Sequence, residues 1–285
     1  MIRGSVRRLY LAILDRRCRA VQGNPTNARA MVFAPHPDDE TIGCGGTIAR
    51  KIAAGAEVHV VFMTDGSLSH SEAGTLSAIE MAMARRAEAV SACARLGIPP
   101  ERLIFLDHSD GRLEAVAAEA AAQVADLFAR VMPTEVFMPY VRDRHADHES
   151  TNRIVTTAMS RSSRSYVVHE YGTWFWAHWP LVSAPVARMR GHVRNVLTFV
   201  NRASWALRDM NCAIDITDAL TIKKIALEQH RTQTVRLGGE NWFVLSDVSD
   251  GQWLELFFRR FELFHRYTFS PPDGVARAAP PRPGE

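Results

Sequence analysis

The chain has 285 residues, 47% hydrophobic and 23% charged, an ordinary globular composition long enough for one large α/β domain or two small ones. Its net charge of +3 is spread over scattered Arg residues, too weak a basic balance to argue for a nucleic-acid partner. With no run of eighteen apolar residues and four widely spaced cysteines without a CxxC, a spanning helix, a disulfide framework and a cysteine-ligated metal are not expected, and a reduced, cytoplasmic setting is.

The first segment, 1–25, is basic: Arg3, Arg7, Arg8, Arg16, Arg17 and Arg19 surround Val6, Leu9, Tyr10, Leu11, Ile13 and Leu14. Its apolar stretch is too short for a signal-peptide core. Two readings stay open: a helix packed on the domain with a solvated Arg face, or a contact peripheral to an anionic inner leaflet. Residues 29–34 read as a buried strand ended by Pro35. The turn Gly43-Cys44-Gly45-Gly46, with Cys44 packing beneath it, leads into a helix over about 47–54. A second apolar strand, 58–63, holds His59 as a structural histidine. A helix over 77–96, a strand over 103–106, an Ala-rich helix over 114–131 and a strand over 135–138 follow. This alternation of helices with largely apolar strands predicts a Rossmann-like three-layer α/β/α sandwich with a mostly parallel sheet.

After residue 161 the pattern loosens. A strand is expected over 166–171, then an aromatic cluster from Trp174 to Trp179, mixed periodicity over 180–210, a helix over 222–230 and a late amphipathic helix over 253–264. The aromatic-rich insertion, about 172–210, is either core packing or a lid that stacks on a sugar or faces lipid. A Pro-rich tail, 269–285, is expected to be disordered, which leaves 26–268 as one domain.

Two motifs carry the chemistry. His36-Pro37-Asp38-Asp39-Glu40 follows the first strand, and His145-Ala146-Asp147-His148 follows the fourth. Each alone also reads blandly, as a Pro/Asp turn or a helix N-cap. Together they fall where a parallel sheet binds its ligands, at the carboxyl ends of strands. His36 and Asp39 are three apart, so a tight turn aims both at one point. Imidazole nitrogen and carboxylate oxygen suit Zn²⁺, and His148 supplies a third ligand with a position left for water. Asp38 and His145 remain for proton transfer. Asp65 and Asp110 lie at the same strand ends, Asp65 either to bind sugar hydroxyls or to cap the next segment. Asp143 and Arg144 read as an exposed or supporting pair, and His169 and Glu170 end a strand within possible reach.

These motifs resemble the PIG-L/LmbE-like family of zinc-dependent de-N-acetylases. Arg85-Arg86-Ala87-Glu88-Ala89 is similar to the family's Arg-x-x-Glu helix, Asp110-Gly111-Arg112-Leu113 to its Asp-Gly-x-Leu loop, and Lys224 through His230 and Gln233 to a late Lys…His-x-x-Gln stretch. The resemblance spans roughly 29–235. It implies His36, Asp39 and His148 as zinc ligands and Asp38 as general base. It implies His145 as oxyanion stabiliser or acid, Asp147 as the group that orients a histidine, and Arg85 and Asp110 as substrate neighbours, with a register shift to Arg86 possible. The implied reaction removes acetyl from an N-acetylated amino sugar, small or lipid-linked. Two alternatives stand beside it. Another metal-dependent hydrolase, such as a phosphoesterase, would more often need two metals held by extra carboxylates. A non-catalytic Rossmann-like binding module would need a Gly-x-Gly-x-x-Gly turn after the first strand, and none is present. The particular amino sugar and the oligomeric state are not encoded in any motif.

Overall fold

The computed structural model describes residues 2–20, 28–71, 74–182, 192–239 and 241–271. Among these, eight strands form one sheet: β1 (Arg19–Ala20), β2 (Arg29–Ala34), β3 (Glu57–Thr64), β4 (Leu103–His108), β5 (Glu135–Pro139), β6 (Tyr166–Tyr171), β7 (Cys212–Asp215) and β8 (Phe261–Phe269). Their order is β1-β7-β8-β6-β5-β2-β3-β4. Neighbours pair in parallel except β8, which runs antiparallel between β6 and β7.

The strands are apolar because both faces of the sheet are covered. Val58, Val60 and Phe62 of β3 belong to one buried cluster, with Ile48 and Ala92, while Val61 and Met63 of the same strand belong to a second, with Val124 and Phe128. Alternate residues thus feed opposite layers. Helices α2 (Asp39–Ala53) and α3 (Ala78–Arg95) join the first layer, and α4 (Ala117–Val131) and α5 (Ala146–Ser160) the second. Ser77 caps α3 in a reciprocal capping box with Glu80, which fixes its start. The Rossmann-like sandwich expected from the alternation is the fold observed.

Beyond β6 the structure departs from the sequence reading. The expected helix over 253–264 is instead a 3-10 turn, Leu254–Phe258, followed by strand β8. Along β8 burial alternates, with Glu262 and Phe264 inward. Helix α6 (His192–Asp209) lies in the stretch of mixed periodicity and strand β7 just after it, and the expected helix over 222–230 is α7 (Leu220–Leu227), followed by a short α8 (Arg231–Thr234). The Gly-rich turn is also corrected. α2 begins at Asp39 and runs through Gly43 to Gly46, with a kink at Cys44.

Helix α1 (Ile2–Arg17) packs on the domain. Leu14 is buried, the Tyr10 hydroxyl donates to the Ala203 carbonyl at 3.0 Å, and Arg7 pairs with Glu255 at 3.2 Å. Leu9 stays exposed. No described helix is long and apolar enough to cross a membrane. Residues 21–25 and 183–191, and the expected tail from 272 onward, lie outside the described residues.

Candidate metal centre and catalytic pocket

The chain runs β2, β3, β4 toward one edge of the sheet, then returns to the other side of β2 with β5 and β6. Loops after β2 and β5 therefore diverge and leave a crevice between them, where open α/β sheets bind ligands. The first motif leaves β2 and the second leaves β5.

His36, Asp39 and His148 meet in this crevice. Asp39 Oδ2 lies 3.3 Å from His36 Nδ1 and 3.2 Å from His148 Nε2. A tetrahedral site with bonds of ~2.1 Å has edges of about 3.4 Å, so each of these two spacings suits a pair of ligands on one ion. The far nitrogens are held by carboxylates. His148 Nδ1 lies 2.7 Å from Asp143 Oδ2, and His36 Nε2 lies 3.2 Å from Asp110 and 3.3 Å from Asp147. Such partners orient an imidazole and turn its other nitrogen to the metal. His148 Nε2 is buried and has no hydrogen-bond partner, a donor atom left for an ion. Two other sets are drawn together within 4.8 Å, His36 with His145 and His148, and His36 with Asp110 and Asp147. We favour the set with Asp39, because it leaves Asp110 and Asp147 on the outward nitrogen of His36. Asp147 is also occupied by the Gly111 and Leu113 amides.

The electrostatics suit a cation. Burial opposes charge on His36, but hydrogen bonds to Asp110, Asp147 and Asp39 outweigh it and raise its pKa well above the ordinary value. His148, also buried, is raised to about 9 by Asp39 and Asp143. Asp39 is held low despite burial, chiefly by His148.

Asp38 sits beside these residues with φ 137°. It is the N-cap of α2, yet its side chain makes no cap bond. Instead Asp38 Oδ2 lies 3.1 Å from Arg85 Nη2. Burial raises the Asp38 pKa to about 6, against the opposing pull of Arg85. Arg85 also donates to the Pro37 carbonyl and, at 2.5 Å, to Ser69 Oγ. Arg86 faces outward to Asp107, and of the two it is Arg85 that lines the pocket. His145 stacks edge-on to His36 with centroids 4.9 Å apart. Burial and the neighbouring His36 and His148 push its pKa down to about 4. Asp147, expected to orient a histidine, lies 3.3 Å from His36 Nε2, and its oxygens also accept two amides.

Other residues fall outside this cluster. Asp65 accepts the Ser67 and Asp110 amides and so caps the loop. His59 pairs with Glu57 at 2.8 Å. His169 is buried against Phe137, and Glu170 binds Asn152 and His265. In the aromatic cluster Phe175 and Trp176 are core, whereas Trp179 is 41% exposed. Lys224 is exposed; the buried lysine is Lys223, bound to Glu262 at 2.7 Å. Of the two readings left open for Asp143, the structure shows the supporting one, while Glu40 carries weight that motif reading did not assign. Asp143 is fully buried and accepts the amides of Thr173, Trp174 and Phe175 besides holding His148. Glu40 accepts the Asp38 amide at 2.9 Å and pairs with His230 at 3.0 Å.

The pocket over this cluster encloses about 310 Å³ and is lined by Asp38, Asp39, Arg85, Asp110 and His145, with Trp174 and Trp253 on its wall. Trp174 stacks on Trp253 with centroids 4.9 Å apart.

The family description "PIG-L: GlcNAc-PI de-N-acetylase" matches residues 31–159, the stretch holding both motifs. Residues 31–159, just under half of the chain, are thus similar to a PIG-L domain. It is 27% identical over 265 residues to a 1D-myo-inositol 2-acetamido-2-deoxy-alpha-D-glucopyranoside deacetylase 2 of Catenulispora acidiphila, covering 80% of this chain and 86% of that one. Its fold is similar to that of N,N'-diacetylchitobiose deacetylase from Pyrococcus horikoshii, with TM-score 0.60, 21% identity and coverage of 94% and 93%. It is also similar to GalB, a 4-carboxy-2-hydroxymuconate hydratase of Pseudomonas putida, with TM-score 0.57, 17% identity and coverage of 86% and 97%. A deacetylase and a hydratase thus share the architecture, and the fold alone does not choose the reaction.

Proposed function

We propose that this PIG-L/LmbE-like protein is a zinc-dependent hydrolase that removes the N-acetyl group from an N-acetylated amino sugar in a glycoconjugate. The observation that carries the reading is the meeting of His36 Nδ1, Asp39 Oδ2 and His148 Nε2 at the strand ends, beside an uncapped Asp38. The similarity to deacetylases of N-acetylglucosaminyl compounds supports it. His36, Asp39 and His148 would hold the ion. A bound zinc ion would polarise the amide carbonyl and make water more acidic.

The chain's own groups do the rest. Water adds to the amide carbonyl as its proton passes to Asp38 Oδ. With a pKa of about 6, Asp38 is a base able to take that proton near neutral pH and return it. The C–N bond breaks as the proton reaches the amine nitrogen, leaving acetate and a free amino sugar. His145, neutral near pH 7 at a pKa of about 4, serves as a hydrogen-bond donor to the developing oxyanion. The same value weakens the alternative in which it is the acid. Arg85 holds Asp38 in place, and Asp110 lies on the pocket wall where a sugar hydroxyl can reach it. The reaction fits a cytoplasmic enzyme with a small soluble or lipid-linked substrate.

The test is a panel of N-acetylhexosamine glycosides scored for free amine, with metal content measured on the same sample. Amine release that stops on chelation and returns with Zn²⁺ is expected. No amine release from any N-acetyl sugar, by protein holding one metal per chain, would overturn the reading.

A further inference from the structure

A second cleft of about 410 Å³ adjoins the catalytic pocket. Leu68, Trp174 and Leu245 line both, so the two are one continuous depression. Their walls differ. The inner pocket carries the carboxylates and the guanidinium, whereas the outer one has neither and adds Phe243, Val244 and Val248 beside the uncharged His70, Ser71 and Asn241. Phe243 is 57% exposed and Leu68 53% exposed. Large apolar side chains facing water around a concave site mark a binding surface.

The surface is also stiffened. Trp242, fully buried, stacks on His70 with centroids 4.3 Å apart and donates its indole N–H to the Thr232 carbonyl at 2.9 Å. It anchors the chain just before Phe243. The plane of Trp174 is set by Trp253. A preorganised apolar wall loses little freedom when a ligand docks.

We infer that the outer cleft binds an apolar aglycone, aryl or short alkyl, carried by the amino sugar whose amide lies over Asp38 and His145. The inference rests on the proposed de-N-acetylase reading for the orientation of the ligand. The continuity of the two clefts sets which end enters first, because the polar amide belongs with the polar inner wall. The apolar substituent then leaves water against Leu68, Trp174, Phe243 and Val248.

The test is calorimetry on the full metal-loaded chain with the methyl and hexyl β-glycosides of N-acetylglucosamine and with the β-linked N-acetylglucosamine disaccharide, each below any micelle-forming concentration. Amine release is measured on the same ligands. Burying methylenes should tighten the hexyl glycoside by about tenfold or more over the methyl one, and also over the disaccharide. Phe243→Ser should shrink that ratio to within about threefold. Phe243 is exposed, and melting the variant verifies its fold. Equal affinity for methyl and hexyl glycosides, or tighter binding of the disaccharide than of the hexyl glycoside, would overturn the inference. So would a hexyl preference that survives in folded Phe243→Ser. If the hexyl preference appears and disappears as stated but no amine is released, the cleft assignment stands and the deacetylase reading falls. If both glycosides release amine at one kcat/KM and bind equally, the deacetylase reading stands and the cleft assignment falls.

Discussion

Asp38 occupies φ 137°, a region that costs a side-chain-bearing residue on the order of 1–3 kcal/mol. Its carboxylate forgoes the usual N-cap bond. Both costs make sense if that carboxylate is needed over the pocket. Replacing Asp38 with Asn should therefore leave metal content unchanged and lower kcat by on the order of 10²–10⁴-fold. Loss of metal from that variant would make Asp38 a ligand instead, and near-normal turnover would remove it from the mechanism. Asp143 acts through His148, so Asp143→Asn should weaken metal affinity by about 10–100-fold; a chelator competition titration measures it, and an unchanged affinity would contradict the role. The convergence of His36, Asp39 and His148 was legible because they sit in two short motifs at strand ends. For Asp143 an exposed and a supporting role both stayed open, since nothing in its spacing separates a buried carboxylate holding His148 from an exposed one. Glu40 stood within the first motif, but its partner His230 comes from a distant helix end, and only the fold brings them together.

At the scale of elements, α2 shows what a Gly-rich stretch can mean besides a turn. A Cβ on Gly43 would lie 2.3 Å from the Tyr171 ring, and one on Gly46 would lie 2.7 Å from Ile216. The glycines let the helix that begins at the metal motif press against β6 and the chain after β7. The Tyr171 ring is buried, and its hydroxyl is tied to the Phe33 carbonyl at 2.7 Å, so it cannot move aside cheaply. Gly43→Ala should cost about 1–3 kcal/mol or more, seen as a lower melting temperature. Gly4→Ala on α1, where no atom lies within 4 Å, should leave stability unchanged or raise it. Equal melting of wild type and Gly43→Ala would show that α2 is not packed this tightly. The misread of β8 has a physical root too. Trp253, Leu254, Leu256, Phe257 and Phe261 fall at helical spacing, but the inward Glu262 is satisfied by the Gly46 and Thr47 amides and by Lys223. Those partners are invisible without the fold.

Across the whole molecule, the run from β2 to β5 was readable because β2, β3 and β5 are largely buried and the helices between them are bounded by Gly, Pro or a cap, whereas α5, which has no side-chain cap, was not read as a helix. The later part inserts an antiparallel strand, which local periodicity does not announce. The same burial gives a pH signature. Burial pushes His169 down to about 3 and His178 to about 4, whereas both take up a proton near pH 6.5 once unfolded. Their contribution to stability is complete above about pH 6.5 and is lost as pH falls toward their folded values. Denaturant midpoints should therefore drop between pH 6.5 and 4, and less steeply in His169→Gln; an identical slope would contradict this. The central claim is that one ion is held where strands β2 and β5 end. Metal per chain, measured by mass spectrometry on wild type and His148→Ala after identical zinc loading and desalting, tests it most directly. The account predicts about one zinc in the wild type and a sharp loss in the variant. Full stoichiometric zinc in folded His148→Ala would contradict it.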